Sequence, residues 1–566
     1  MISQLETTSS SPSVTPIVRR RPADRLLVLV AGLGAALPVI VSTIRALAAG
    51  WAPEGDNAVI TTRAYDVLTS LTPLVGPWSS ASSLTGEDTF SPGPLLYWLL
   101  AIPARLPGEA AFPVVIGALN VAAITGAVAL AHRRGGRALM FAAAGSLAVM
   151  CASLEVQRLH DIWGPTAPLL AFTLLLFVCW SLACGEYRLL PLAVLLASFA
   201  MQCHLVFVLP SLALLGGGLA GLIASRRQAN AERTNPAGGS LRRWSLTAVA
   251  DAALCWSAPI VDQALGWAGS ERGYGNLENL VDAAQSREEP AGLTAGVYAV
   301  VRATGIPPWW LRSPSRPEQR TLEIFARPAA PAIASAAIIL LALVVLVALG
   351  VRRGRPDITA AASLALAACA ALGVVTAGFP GTLESIFSYS YASLWAAPVG
   401  MWTWLVVVWS SASLWSGARV EAGRPVPAVP AAVAVAAVLV VVATGAVVAA
   451  VQGPVGQDGV FDASRSATRG LDEALADPRT VRVESDVFEL ETAVIHALRR
   501  RGADVGVGDT SGQFGPDYDR RGRRFEHVVE IRHSGVLPPG ARRVARGDYR
   551  AGGRRLGYSV SLRPGR

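Results

Sequence analysis

Eleven runs of apolar residues, most of them near the ~20 residues that carry a helix across roughly 30 Å of hydrocarbon, dominate this 566-residue chain. They fall near 26–46, 112–131, 138–154, 165–184, 189–203, 205–224, 245–261, 331–350, 359–377, 392–412 and 430–451. The shortest, 189–203, needs support from its neighbours or a locally thinned bilayer. The first run is too long and too poorly flanked for a cleavable signal peptide, so it reads as an anchor. Only 16% of the chain is charged and 52% is hydrophobic, against about 25% charged in a water-soluble domain. A soluble enzyme, a disordered chain and a disulfide-rich secreted scaffold are excluded. The expected fold is a polytopic α-helical membrane protein.

The 49 basic residues are all arginine, which reads as a GC-rich coding bias and makes their placement more informative than their number. Arg19, Arg20, Arg21 and Arg25 precede the first run, so the N-terminal tail 1–25 is expected in the cytoplasm. The alternate segments 1–25, 132–137, 185–188, 225–244, 351–358 and 413–429 then hold 18 Arg against 6 acidic residues, while the loops assigned outside before residue 451 hold 10 against 17. Short Arg-rich loops stay inside, and every alternate loop obeys. The net charge of +9 invites a nucleic-acid reading, but no Arg stripe interleaved with aromatics supports one. The six cysteines lie in or beside apolar runs without metal-ligand spacing, as small buried residues would.

This topology makes 26–451 one transmembrane domain with two large outer loops, about 47–111 and 262–330. The tail 452–566 is expected to be a small extracytoplasmic α/β domain, with strands at 480–483, 504–507 and 525–531 and a helix at 491–501. Within the first loop, Ser91-Pro92-Gly93-Pro94-Leu95-Leu96-Tyr97-Trp98-Leu99-Leu100 is too short to span and opens with helix breakers. It reads as the start of a surface helix over 92–106.

Chemistry is expected where polar residues gather at the outer ends of spans. Trp51-Ala52-Pro53-Glu54-Gly55-Asp56-Asn57 puts two carboxylates at the water–lipid boundary, where partial desolvation raises basicity and suits a base acting on a hydroxyl; an ordinary solvated loop would carry the same acids. Glu155-Val156-Gln157-Arg158-Leu159-His160-Asp161-Ile162-Trp163 is a short outer turn. Arg158 and His160 are of the types that grip phosphate, and Asp161 could act as a second acid or as a ligand for a divalent ion such as magnesium or manganese; interface anchoring explains the turn equally well. His204, in the break after Gln202-Cys203, is a phosphate donor or a satisfied polar residue. Trp256 to Gln263 opens the second large loop, with Arg272 beside Gly273-Tyr274-Gly275-Asn276. Phe387-Ser388-Tyr389-Ser390-Tyr391 offers rings that would stack on a sugar or form an aromatic belt.

In this order and spacing the motifs resemble the GT-C superfamily of membrane glycosyltransferases, which includes protein O-mannosyltransferases, aminoarabinose transferases and actinobacterial arabinofuranosyltransferases. The elements are Glu54 and Asp56 after the first span, Pro92-Gly93-Pro94-Leu95 opening a surface helix, the basic turn His132-Arg133-Arg134-Gly135-Gly136-Arg137, and Asp161 after the third span. They cover about residues 20–210, and the span count stays compatible to 451. The first-loop acids are Glu-Gly-Asp rather than an adjacent Asp-Glu, and Ser91 stands where relatives often carry a base. Trp309-Trp310 is followed by Leu311, not the Asp of the oligosaccharyltransferase signature, which argues against that enzyme.

The resemblance implies a GT-C-like bundle that moves a sugar, with inversion, from a polyprenyl-phosphate donor to a glycan, lipid or protein acceptor on the outer face of the plasma membrane. Catalysis would fall to Asp56, with Glu54 and Asp161. Arg158, His160, His204 or Arg272 would hold the phosphate, and Arg63, Tyr97 and Tyr389 would line the substrate pocket. Arabinofuranose and mannose are natural sugars to expect if the coding bias marks an actinobacterium. Two other readings compete. A transporter or flippase of a lipid-linked glycan would carry ionisable groups near the bilayer midplane, where Asp251 is the main one. A non-catalytic scaffold would be indifferent to loss of Asp56.

Overall fold

The structure, a computed structural model, describes residues 22–82, 88–231, 238–269, 275–285, 289–312, 322–381, 388–425, scattered positions between 436 and 450, 459–508, 511–519, 523–533, 537–551 and 554–565. Apolar composition sets its architecture. Among the described residues six helices are long and apolar enough to cross a membrane, and the pair Asp24–Ala35 and Leu37–Ala48, bent by 52°, makes a seventh if it is one span. Leu169–Ala183 and Tyr187–Cys203 are apolar but shorter. Helix Ala111–Ser153 has 43 residues, about 65 Å of helix and twice a bilayer core. It is broken at Gly135 and Gly136, where Gly136 takes φ 63°, a conformation open to glycine. The two expected spans 112–131 and 138–154 are its two arms. Most of the eleventh expected run, 430–451, lies outside the described residues.

Helix faces divide as a membrane protein requires. Leu26, Val30, Leu254, Ile338 and Leu341 stay exposed, an apolar surface that only lipid would cover. Inward, Trp402 packs edge-on against Phe177 and Trp180 at 4.9 and 5.5 Å between ring centres.

The polar turns sort into two ends. At one, Arg137 pairs with Asp24 at 2.9 Å, Arg133 with Glu186 at 3.4 Å, and Arg134 also contacts Glu186, so three of the Arg-rich segments meet there. At the other end lie the first loop and the C-terminal region. The expected surface helix is shorter than its sequence suggests. Leu95–Leu100 is helical and Pro103–Arg105 adds a 3₁₀ turn, because the prolines and Gly93 before it supply no helical backbone. The second large loop carries helices Asn276–Ala284 and Gly292–Thr304. Asn276 ties it to the first loop through Phe90, accepting from its N–H at 2.8 Å and donating to its carbonyl at 3.0 Å.

C-terminal residues build a five-stranded sheet. β1 (Thr480–Ser485) pairs in parallel with β2 (Asp504–Val507) and β3 (His527–Arg532), and β5 (Arg554–Pro564) runs antiparallel to both β3 and β4 (Arg542–Ala551). The last two strands had no separate expectation. Helices Val460–Ala474 and Phe488–Arg500 pack on the sheet, burying Leu490, Val494 and Leu498 in its core.

This domain is clamped to the first-loop helix Gly55–Asp66. Asp66, fully buried, accepts from Arg63 at 3.0 Å, Arg499 at 2.7 Å and the Tyr518 hydroxyl at 2.7 Å. Arg63 also faces Asp517 at 3.6 Å, and His496 Nδ1 contacts Thr61 and Thr62 at 3.2 and 3.3 Å. Neutralising that buried carboxylate takes from Arg499 its ion partner and leaves Arg63 the longer contact to Asp517, a loss of about 3–5 kcal/mol. Asp66→Asn should therefore lower the thermal midpoint in detergent and let protease release the C-terminal domain at far lower dose; an unchanged cleavage pattern would show that the clamp is not what holds the domain.

Candidate active site

The site begins with backbone. After Pro53, Glu54 is extended at φ −145°, ψ 155° as the residue capping helix Gly55–Asp66. Gly55 enters that helix at φ 52°, a turn that residues with a Cβ avoid. The reversal brings Asp56 into the first helical turn, where the exposed amide ends favour negative charge. The partner turn follows Ala111–Ser153: a 3₁₀ segment Val156–Leu159 and then His160, Asp161, Ile162 and Trp163.

Side chains join the two segments. Trp163 Nε1 donates to Asp56 Oδ2 at 2.8 Å. Asn57 Nδ2 donates to Asp161 Oδ1 at 2.8 Å, and Asp161 also accepts from the Trp163 amide and the Thr166 hydroxyl, both at 3.2 Å. Two carboxylates from distant parts of the chain are thereby held together by neutral donors.

Two cavities meet at this junction, and Asp56 and Trp163 line both. The smaller, about 90 Å³, is walled by Pro77, Trp78, Ser79, Ser80, Ser91, His204, Tyr391 and Gln513 among others. The larger, about 290 Å³, is lined by Trp51, Glu54, Asn57, Gln157, His160, Asp161, Phe461, Phe488 and Glu489 among others. Asp56 is open to cavity solvent yet surrounded by protein mass. That desolvation raises its pKa above the ordinary carboxylate range; the Trp163 bond lowers it and the Asp161 charge raises it. Asp161 is also raised by desolvation, against the lowering effect of its hydrogen bonds and of Arg158. Glu54 is pushed up to about 8 by burial and then by Glu489 and Asp161, and its Oε2 has no hydrogen-bond partner among the described residues.

The histidines are placed oppositely. Ser42 gives its one proton to the Val156 carbonyl at 2.5 Å, so the 2.7 Å contact between His160 Nδ1 and Ser42 Oγ requires the proton on Nδ1. His160 Nε2 then carries a lone pair. His204 Nδ1 accepts from the Val206 amide at 3.3 Å, which leaves a proton on Nε2 of a ring that lines the smaller cavity. Burial lowers both pKa values to about 4, with Arg45 adding to the effect at His160.

Glu54, Asp56, Asp161, His160 and His204 thus line these two cavities. Others do not. Arg158 is 8% exposed and its Nε is held by Glu155 at 2.9 Å; it lines neither cavity. His160, with its proton turned to Ser42, presents no donor to a phosphate. Arg63 belongs to the Asp66 clamp, not to the pocket. Tyr97 is buried, and Tyr389 donates to the Pro380 carbonyl at 2.9 Å and packs against Phe325 and Phe379; neither lines the pocket. Arg272 lies outside the described residues. Trp78, Phe461, Phe488, Glu489 and Gln513 escape a reading of the sequence, because no local pattern marks them as neighbours of Asp56.

The acids make no metal cradle. Asp161 offers both oxygens to Asn57, Trp163 and Thr166, Asp56 offers one to Trp163, and among the described residues no group of three or more His, Cys, Asp or Glu is arranged to hold an ion.

No family model and no curated protein matches the chain. Solved structures similar to it include the following two. The structure of ArnT from Cupriavidus metallidurans bound to undecaprenyl phosphate is 11% identical, with 95% of this chain and 98% of that one covered at a TM-score of 0.47. The oligosaccharyltransferase of Archaeoglobus fulgidus, in complex with zinc and sulfate, is 11% identical over 89% of this chain and 67% of that one, at a TM-score of 0.37. Likenesses this distant assign no role to any residue of this chain.

Histidine titration checks the geometry directly. In histidine-labelled protein followed by NMR, two imidazoles should stay neutral until near pH 4, well below the usual ~6.5, and should vanish from the spectra of His160→Gln and His204→Gln. Protonation of both near pH 6.5 would contradict the enclosed placement.

Proposed function

We propose that this chain is an inverting glycosyltransferase that moves a sugar from a polyprenyl-phosphate donor to a hydroxyl of a cell-envelope acceptor at the outer face of the plasma membrane. The observation that carries the reading is Asp56: one carboxylate of raised basicity, fixed by Trp163, opening on two cavities at once. A displacement between two separately bound substrates needs a base at such a junction.

The donor's tail lies in the bilayer and its phosphosugar reaches the rim of the bundle. The smaller cavity suits that phosphate, with the His204 Nε2–H and the Ser79 hydroxyl as donors. The acceptor hydroxyl approaches from the larger cavity. Its oxygen attacks the anomeric carbon and forms the new glycosidic bond, while the anomeric carbon–phosphate oxygen bond breaks and leaves its electron pair on the phosphate. The hydroxyl proton passes to Asp56 and then to solvent. One in-line displacement inverts the anomeric centre. Donors aimed at the leaving phosphate stabilise the charge that develops there. Asp161 acts through Asn57 and Trp163, which fix the turn beside Asp56.

Arg-rich turns gather at the end of the bundle opposite the site, which supports a cytoplasmic N-terminus and an extracytoplasmic C-terminal domain. A transporter would carry its ionisable groups at mid-membrane; here the acids of the site sit together at one end.

Purified full-length protein in nanodiscs, given a panel of polyprenyl-phosphate sugars and envelope acceptors, should consume one donor. Asp56→Asn should cut that rate by about 10²–10⁴-fold while the folded protein is recovered in normal yield, and Asp161→Ala should impair it strongly. Near-normal turnover in Asp56→Asn would remove Asp56 as the base.

The pH profile gives a second check. A base with a raised pKa is protonated over a wider acidic range, so kcat/KM should fall on acidification well above the ~4 of a free carboxylate. Trp163→Phe, which removes a bond that lowers the Asp56 pKa, should move that limb further up. A limb near 4 in both proteins would contradict the assignment.

A further inference from the structure

The larger cavity has a chemistry that selects its occupant. None of its lining residues is arginine, whereas Glu54, Asp56, Asp161 and Glu489 all face it. Trp51, Phe461 and Phe488 add aromatic surface, and Phe488 lies close over Gly55, within 3.6 Å of where a Cβ would stand. Phe461, Phe488 and Glu489 come from the C-terminal domain, from the starts of helices Val460–Ala474 and Phe488–Arg500. An anion entering here would lose its hydration beside several carboxylates and gain no cation. A sugar ring meets the opposite conditions. Its C–H faces lie on aromatic rings, and its hydroxyls donate to carboxylate oxygens.

We propose that the larger cavity is the acceptor subsite, that it takes an uncharged glycan, and that the C-terminal domain sets this specificity through Phe461, Phe488 and Glu489. Resting on the transferase reading, this narrows the acceptor from glycan, lipid or protein to a neutral carbohydrate. The four acids disfavour the donor's phosphate in this cavity, whereas the smaller one carries a single carboxylate, Asp56, together with the His204 Nε2–H donor. Glu54 Oε2, buried without a partner among the described residues, is available to a glycan hydroxyl from the transmembrane side while Glu489 meets it from the domain side.

The test measures binding without transfer. Full-length protein in nanodiscs, without donor, is titrated by saturation-transfer NMR with uncharged pentose and hexose di- to tetrasaccharides, and with the same sugars carrying one uronic acid. At least one neutral glycan should bind, and its uronic acid counterpart should bind at least tenfold more weakly. Glu489→Gln should weaken neutral-glycan binding by about tenfold, the size expected for losing a charge-assisted hydrogen bond. Phe488→Ala should do likewise and Phe488→Trp should restore binding, which a folding defect would not. Polyprenyl monophosphate should not displace the glycan. Equal binding of neutral and acidic sugars, indifference to both Glu489→Gln and Phe488→Ala, or displacement by the polyprenyl phosphate would each overturn the proposal. Failure of the transferase reading registers elsewhere: no donor is consumed, yet the neutral glycan still binds and the variants still weaken it.

Discussion

Holding Asp56 and Asp161 together in a poorly solvated place, with no arginine bonded to either among the described residues, is the constraint on which the site depends. Asp56 and Asp161 repel each other, and burial makes the charge of each harder to bear. The structure answers with neutral donors: the Trp163 indole on Asp56, and Asn57, the Trp163 amide and Thr166 on Asp161. A guanidinium against Asp56 would have fixed it as firmly and made it a poor base. The nearby Arg158 has its Nε turned to Glu155 instead. Basicity is thus preserved by the choice of partner.

The helix that begins with this carboxylate ends with another. Asp66, at its far end, gathers Arg63, Arg499 and Tyr518, so a single 12-residue helix carries the catalytic candidate at one end and the domain clamp at the other. Through that helix the C-terminal domain is fixed over the site and supplies walls to both cavities. Burying a carboxylate with two arginines is costly in isolation; here it sets the registry between a membrane bundle and a soluble domain.

Much of this was legible in the sequence, and the boundary of legibility is physical. Apolar runs report helices because hydrocarbon demands internally hydrogen-bonded backbone, and the Arg-rich turns report which loops share an end. Acids just beyond such runs, Glu54, Asp56 and Asp161, stand out because ionised groups are rare there. What sequence could not supply is which distant segments meet. Arg63 reads as a pocket residue until Asp66 and Asp517 are seen beside it. His160 reads as a phosphate ligand until Ser42 is found accepting its Nδ1–H. Phe488 and Glu489 open an ordinary amphipathic helix of a soluble domain, and nothing local tells that this helix returns to the membrane surface beside Gly55.

Whether one carboxylate serves two differently lined cavities is decided by a structure with a non-hydrolysable polyprenyl-phosphate sugar bound. The expected result is a phosphate within hydrogen-bond distance of His204 Nε2, roughly 2.6–3.2 Å, with the anomeric carbon turned towards Asp56 and the larger cavity free for the acceptor. A phosphate seated among Glu54, Asp161 and Glu489, or at the opposite end of the bundle by Arg134, would contradict it.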